Sequence, residues 1–171
     1  MHKPYIRNDI ISCMDNTAGS LTQLQKSFII GTLLGDGYIR RIKGRKDAFL
    51  EVNHSITQRE YVEWKYDLLK NIVRSGPKSR NGNNGRVAYR FFTKQHPEFT
   101  KTMDLFYKNK KKCVPDLILD PVMLAVWFMD DGSRCSKENV YLIRFTTSSI
   151  KKLFGMIERY IIPSMKYKIG L

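Results

Sequence analysis

From residue 21 onward the apolar positions alternate between helical and strand periods. Thr22 and Gln25 have capping-box spacing, and the apolar run that follows to Leu34 predicts a helix stopping at Gly35-Asp36-Gly37. YIRRIKGRKDAFLEVNH from Tyr38 carries β-branched and aromatic residues around a basic KGRKD turn, which predicts an antiparallel hairpin. Thr57 and Glu60 form a second capping box. Tyr61, Trp64, Leu68 and Ile72 then recur at helical spacing, predicting an amphipathic helix with Tyr61 and Trp64 in the core, ending before Ser75-Gly76-Pro77.

A second hairpin is predicted next, with RVAYRFFT as the returning strand and SRNGNNGR as a tip of turn formers and positive charge. In the returning strand Val87, Tyr89 and Phe91 share one side, and Arg86, Ala88 and Arg90 the other. Pro97 opens a helix to about Tyr107, and a basic linker, KNKKKCVP, leads to Asp120 and Pro121. These two are a good N-cap and first-turn pair for another helix, LAVWFMDDG at Leu124 to Gly132, with Trp127 in its core face. VYLIRF at Val140 to Phe145 reads as a strand, and a last helix runs from about Ser149 to Tyr160.

The element order describes an α+β chain with an imperfect internal repeat. Residues 1–20 read as an N-terminal arm, 21–115 as the first repeat and linker, and 116–171 as a second, shortened repeat. Far fewer residues follow the second Asp-Gly than separate the two.

Thirty Lys and Arg against sixteen Asp and Glu give a formal charge of +14, which favours a polyanionic partner. Nucleic acid is the first candidate and an anionic membrane the second. No apolar run approaches the roughly 20 residues of a spanning helix, and MHKPYIRNDI lacks the apolar core of a signal peptide, so secretion is not expected. Cys13, Cys113 and Cys135 make no Cys-x-x-Cys pair, and His2, His54 and His96 are isolated, so neither a disulfide framework, a zinc finger nor a histidine-metal site is expected.

Asp36 and Asp131 each stand at the C-terminal end of an apolar helix, where the macrodipole is negative and a cation is preferred. Two such placements in one chain point to a shared positive partner, for which a divalent metal is suited.

The paired segments IIGTLLGDG and LAVWFMDDG resemble the LAGLIDADG motif, and their order resembles homing endonucleases with two motifs per chain. KKCVP at Lys111 to Pro115 and YIIPSMKYK at Tyr160 to Lys168 strengthen the resemblance. It implies a pseudo-twofold saddle with two central motif helices packed side by side and a curved antiparallel sheet on each side along DNA. Gly31 and Gly35 permit that close approach, at a helix-propensity cost of roughly 1 kcal/mol each relative to Ala.

The resemblance further implies Mg²⁺ or Mn²⁺ held by Asp36, Asp131 and the backbone carbonyls of Gly35 and Asp130, with the Asp130 side chain a neighbour rather than a ligand. It places Lys112 and Lys168 among the catalytic residues, as basic side chains at the edge of each active site that stabilise developing charge or polarise the nucleophilic water, while Lys108, Lys110 and Lys111 read as a solvated charge run. Arg40, Arg41, Lys43, Arg45, Lys46, Arg80, Arg86 and Arg90 form the expected DNA-binding set, since a two-stranded ribbon fits the major groove.

The implied activity is site-specific cleavage of double-stranded DNA by a monomer, in a mitochondrion or plastid if the gene is organellar. VYLIRF runs almost directly into TTSSIKKLF, so the second repeat lacks a central block. A naturally minimal half, self-association that completes the saddle, and a decayed copy are the three explanations. An RNA maturase acting on its host intron, and a DNA-binding module without cleavage, are the competing functions.

Overall fold

The computed structural model describes residues 21–135 and 140–143. The expected arm at 1–20, the end of the VYLIRF strand, the last helix and YIIPSMKYK with Lys168 lie outside the described residues.

Helix α1 spans Gln23–Leu34, with the Thr22/Gln25 capping box formed in both directions. Every position from Gln25 to Leu34 is buried. Such a helix is enclosed on all sides, so its sequence shows a run rather than a stripe. Strands β1 (Tyr38–Arg40) and β2 (Phe49–Ser55) form the first predicted hairpin, and β3 (Val73–Asn81) and β4 (Val87–Thr93) form the second. They assemble into one antiparallel sheet in the order β1-β2-β4-β3. Leu50, Val52, Tyr89 and Phe91 face inward from its two central strands, as the alternation predicts.

Ser75-Gly76-Pro77 falls inside the edge strand β3 rather than ahead of it, and the register against β4 shifts on both sides of Ser75. A proline without an N–H is accommodated there as a bulge on a sheet edge.

The helix between the hairpins, α2 (Arg59–Leu69), departs from expectation in its start and its phase. A 3₁₀ turn at Ile56–Gln58 precedes it, capped by the Ser55 side chain, and the expected Thr57/Glu60 capping box is not formed. Its buried positions are Val62, Lys65 and Leu69, whereas Trp64 is 41% exposed and Ile72 lies in the turn beyond the helix. The inward face is rotated by one residue, with Val62 and Leu69 fully buried and Lys65 between them paired to Asp130 inside the molecule.

Helix α3 (Pro97–Phe106) has His96 as N-cap and leads into a two-residue hairpin, β5 (Tyr107–Lys108) with β6 (Lys111–Lys112). The basic linker is thus ordered, turning through Asn109 and Lys110 at φ 50° and 63°. Those values are what a tight hairpin turn with the twist of its strands demands.

Helix α4 (Pro121–Asp131) begins as predicted, with the Asp120 side chain accepting from the Met123 N–H at 2.8 Å and Pro121 in the first turn. Ser27 Oγ of α1 donates to the same Asp120 carboxylate, fixing the start of α4 against α1. Strands β7 (Gly132–Cys135) and β8 (Val140–Ile143) follow as an antiparallel pair. β7 went unrecognised in the sequence, since GSRC carries no alternation.

Trp127, Met123 and Val126 of α4 complete a core shared with Phe28, Ile29 and Leu33 of α1. Among the described residues no helix is long and apolar enough to cross a membrane.

Candidate active site at the paired helix ends

Helices α1 and α4 pack with their chains in the same direction, and two glycines set the distance. A Cβ on Gly31 would stand 2.7 Å from the Met123 carbonyl and 2.8 Å from the Val126 Cβ, while one on Gly35 would meet the Asp130 side chain. The seam is one-sided: α1 supplies the gaps and α4 the bulk. Glycine after each Asp is likewise required by contact, for a Cβ on Gly37 would stand 2.6 Å from the Thr32 carbonyl and one on Gly132 2.3 Å from that of Phe128.

Parallel packing brings both C-terminal helix ends together, and with them Asp36 and Asp131. Burial raises the pKa of Asp131, and the nearby Asp36 charge raises it further, while the Trp127 indole N–H, donating to Asp131 Oδ2 at 3.3 Å, opposes the shift. Asp36 is more open, its side chain 56% exposed.

Lys112 approaches from β6. Its Nζ donates to the Gly35 carbonyl at 2.7 Å and the Gly37 carbonyl at 2.8 Å, so its charge sits on the negative end of α1. Loss of water around the ammonium lowers its pKa, and Asp131, Asp36 and Asp130 pull it back up.

Asp130 has a part that its neighbour rank did not suggest. Its side chain is fully buried, with Oδ1 accepting from Lys65 Nζ and from Tyr61 OH, both at 2.7 Å. Lys65 is itself fully buried, which lysine tolerates only with a partner. Burial lowers the Lys65 pKa and the Asp130 carboxylate opposes it. Burial and the same carboxylate push Tyr61 upward. His54 lies 3.3 Å from Lys65 Nζ through Nε2 and 3.7 Å from Asp36 Oδ2 through Nδ1.

His54 and Lys65 are thus site neighbours that the sequence reading passed over. The signals were present: His54 continues the inward alternation of Leu50 and Val52, and Lys65 stands on the stripe between Val62 and Leu69. Tyr61, expected in the core, places its hydroxyl in this cluster and its ring flat against the half-exposed Trp64.

The donors at the helix ends are two carboxylates and main-chain carbonyls, a hard oxygen set of the kind Mg²⁺ takes with water and phosphate. Among the described residues no cluster of three or more His, Cys, Asp or Glu side chains forms a metal site without such additions. Asp130 Oδ2 is buried with no hydrogen-bond partner among the described residues, and the Gly35 carbonyl already carries the Lys112 ammonium.

The basic residues distribute along the sheet. Arg41, Lys43, Arg45 and Lys46 are exposed in the β1–β2 loop, and Arg80 and Arg86 line an open hollow at the β3–β4 tip with Asn81, Gly82 and Asn84. Because β2 and β4 are antiparallel, the two loops lie at opposite ends of the sheet. Between them Arg40 and Arg90 share the outer face and both turn to Glu51, at 3.6 and 3.2 Å.

Over residues 26–166 the chain matches the LAGLIDADG DNA endonuclease family. It is similar to the cytochrome b mRNA maturase bI2 of Debaryomyces hansenii, 30% identical across 96% of this chain and 66% of that relative. It is also similar to the probable intron-encoded endonuclease 1 of Wickerhamomyces canadensis, 26% identical across 88% of this chain and 85% of that one. The chain therefore spans just under two-thirds of the first relative's length. Among solved structures it resembles the homing endonuclease I-WcaI bound to its DNA recognition sequence, with a TM-score of 0.72 and 25% identity over 88% of this chain and 73% of that one.

Proposed function

The chain belongs to the LAGLIDADG DNA endonuclease family, and from that premise we propose that it is a site-specific endonuclease hydrolysing both strands of a long double-stranded DNA target. The observation that carries this reading is the meeting of Asp36 and Asp131 at two parallel helix ends with the Lys112 ammonium beside them.

Asp36 and Asp131, with the carbonyls of Gly35 and Asp130, are the groups that would hold a divalent cation, Mg²⁺ or Mn²⁺. When bound, such an ion supplies an activated water and stabilises the leaving oxygen. Lys112 keeps a positive charge at the same helix end, where negative charge develops on phosphate. Lys168 is proposed to do the same at the second site.

The sheet offers the DNA surface. Seven residues of β2 cover roughly 20 Å, so the basic loops at its two ends reach phosphates several base pairs apart. Arg40, Arg41, Lys43, Arg45, Lys46, Arg80, Arg86 and Arg90 are the proposed contacts. Residues 21–115 are read as a complete first repeat with its linker, and 116–171 as a shortened second repeat in a monomeric enzyme.

A second reading, assistance to splicing of a host intron RNA, is favoured by the likeness to a maturase along nearly the whole chain. One relative named for cytochrome b mRNA and one named as intron-encoded also favour expression from an organellar gene. Both activities use the basic surface and both weaken with salt, so binding alone does not separate them.

Cleavage does separate them. Purified protein with Mg²⁺ is expected to linearise a plasmid carrying the intron-free insertion site, and Asp36→Asn is expected to abolish this while keeping DNA affinity within about threefold, since no phosphate contact is lost. If the Mg²⁺-loaded protein leaves every intron-free candidate intact under conditions where a related enzyme cuts its own target, the endonuclease reading is wrong. Splicing assistance retained by Asp36→Asn would then support the maturase.

A further inference from the structure

We propose that His54 is a positioning residue for the Asp36 carboxylate, its ring held with Nδ1–H toward Asp36 by a Lys65–Asp130 pair that reaches it from the other motif helix. The inference rests on the endonuclease reading for its consequence in DNA cleavage, but its structural core stands on geometry alone.

Lys65 has three N–H donors and no acceptor. One goes to Asp130 Oδ1 at 2.7 Å, the ring of Tyr61 lies 4.5 Å from the ammonium, and His54 Nε2 is at 3.3 Å. Nε2 also lies 3.9 Å from Asp130 Oδ1, but the ammonium is the nearer neighbour, and a nitrogen that faces an ammonium at 3.3 Å accepts. Nε2 is therefore unprotonated, which leaves the proton on Nδ1, the atom 3.7 Å from Asp36 Oδ2. At that distance the N–H acts on the carboxylate through a small adjustment or one bridging water.

Each member of the relay is fixed by burial: the His54 side chain is 3% exposed, and those of Lys65 and Asp130 are fully buried. Asp130 is held in turn against Gly35, where no side chain stands in its way. A residue of α4 thereby sets the proton position on a ring of the first sheet, next to the carboxylate at the end of α1. Asp131 receives its N–H from Trp127 on its own helix, four residues back, and needs no such relay. Outer partners that orient a ligand carboxylate are worth about 10- to 100-fold in affinity or activity.

The first test needs no DNA. The full chain labelled with ¹⁵N-histidine is read by long-range ¹H–¹⁵N correlation at pH 7.5, with His54 assigned by its disappearance in His54→Gln. The expected ring is Nδ1–H in the wild type, shifting to Nε2–H or a mixture in Lys65→Met. Because that variant leaves Asp130 buried without its cation, Lys65→Met with Asp130→Asn provides a second, charge-free form with the same expected change. An Nε2–H or doubly protonated ring in the wild type, or an Nδ1–H ring unchanged in the folded variants, overturns the proposal.

The second test labels each DNA strand separately at saturating Mg²⁺. Lys65→Met is expected to lower kcat for one strand about tenfold, leave the other within twofold and leave KM unchanged, so that nicked product accumulates. Equal slowing of both strands overturns the positioning role. A wild type that cuts no DNA while its ring is Nδ1–H sinks the endonuclease reading and leaves the relay standing.

Discussion

Gly35 and Asp130 face each other across the helix seam so closely that a Cβ on residue 35 would stand 2.4 Å from the Asp130 Cβ. Gly31 makes the same demand one helical turn earlier. Replacing Gly31 by Ala gains about 1 kcal/mol of helix propensity, but the neighbours there include backbone, which cannot step aside. The clash therefore outweighs the propensity. Gly31→Ala and Gly35→Ala are each expected to destabilise by about 1–3 kcal/mol in urea unfolding. Gly76→Ala, with nothing within 4 Å, is the control and should stay within about 0.5 kcal/mol. Equal effects at all three positions would contradict a close seam.

Asp131 is expected to weaken the metal-free fold. Its pKa is raised in the native state by burial and by Asp36, so the folded protein holds the proton more tightly than the unfolded chain. The destabilisation is absent below the ordinary value of 3.8, opens as pH rises through it, and is complete above the raised native value. Asp131→Asn keeps an acceptor for the Trp127 indole and removes the charge. At pH 7.5 without divalent cation it should raise Tm by about 1–3 °C, with no gain at pH 3. A lower Tm at pH 7.5 would show that the two carboxylates do not oppose each other.

Glu51 restrains two members of the basic face, Arg40 and Arg90, and is itself only 13% exposed. Glu51→Gln releases both guanidinium groups to phosphate. Affinity for duplex DNA is expected to rise about three- to tenfold at 0.1 M salt, with a steeper salt dependence. Arg86→Ala, at the open hairpin tip, should instead reduce the slope by about one. Fluorescence anisotropy across a salt series distinguishes the two directions.

Lys110 occupies the left-handed region at φ 63° without being glycine, a conformation that costs an ordinary side chain roughly 1 kcal/mol. Lys110→Gly is expected to raise stability by up to about 1 kcal/mol in chemical denaturation and to leave DNA cleavage unchanged. A loss of stability would mean that the side chain makes a contact worth more than the strain.

Legibility in the sequence followed how local each signal was. The Thr22/Gln25 and Asp120/Pro121 starts are written in four adjacent residues, and both helices begin there. Alternation in RVAYRFFT assigned Tyr89 and Phe91 to the core side. Gly31 and Gly35 were readable as a packing pair, because only contact with another helix justifies their loss of propensity. By contrast, the inward turn of Lys65 depends on Asp130, far away in the chain, and no local pattern announces such a partner. The same distance hid Glu51 between Arg40 and Arg90, whose strands are neighbours only in the folded sheet. Trp64, assigned to the core by size and spacing, is 41% exposed because Val62, Lys65 and Leu69 take the inward face of α2.

The small β5–β6 hairpin puts a ruler behind the site. Lys112 reaches the Gly35 and Gly37 carbonyls because just two residues, Asn109 and Lys110, separate its strand from β5. Strand side chains alternate sides with every residue, so a one-residue change in turn length that slips this pairing would send the Lys112 ammonium to the opposite side. The placement of this charge is governed by a residue count in a turn that itself touches neither helix end.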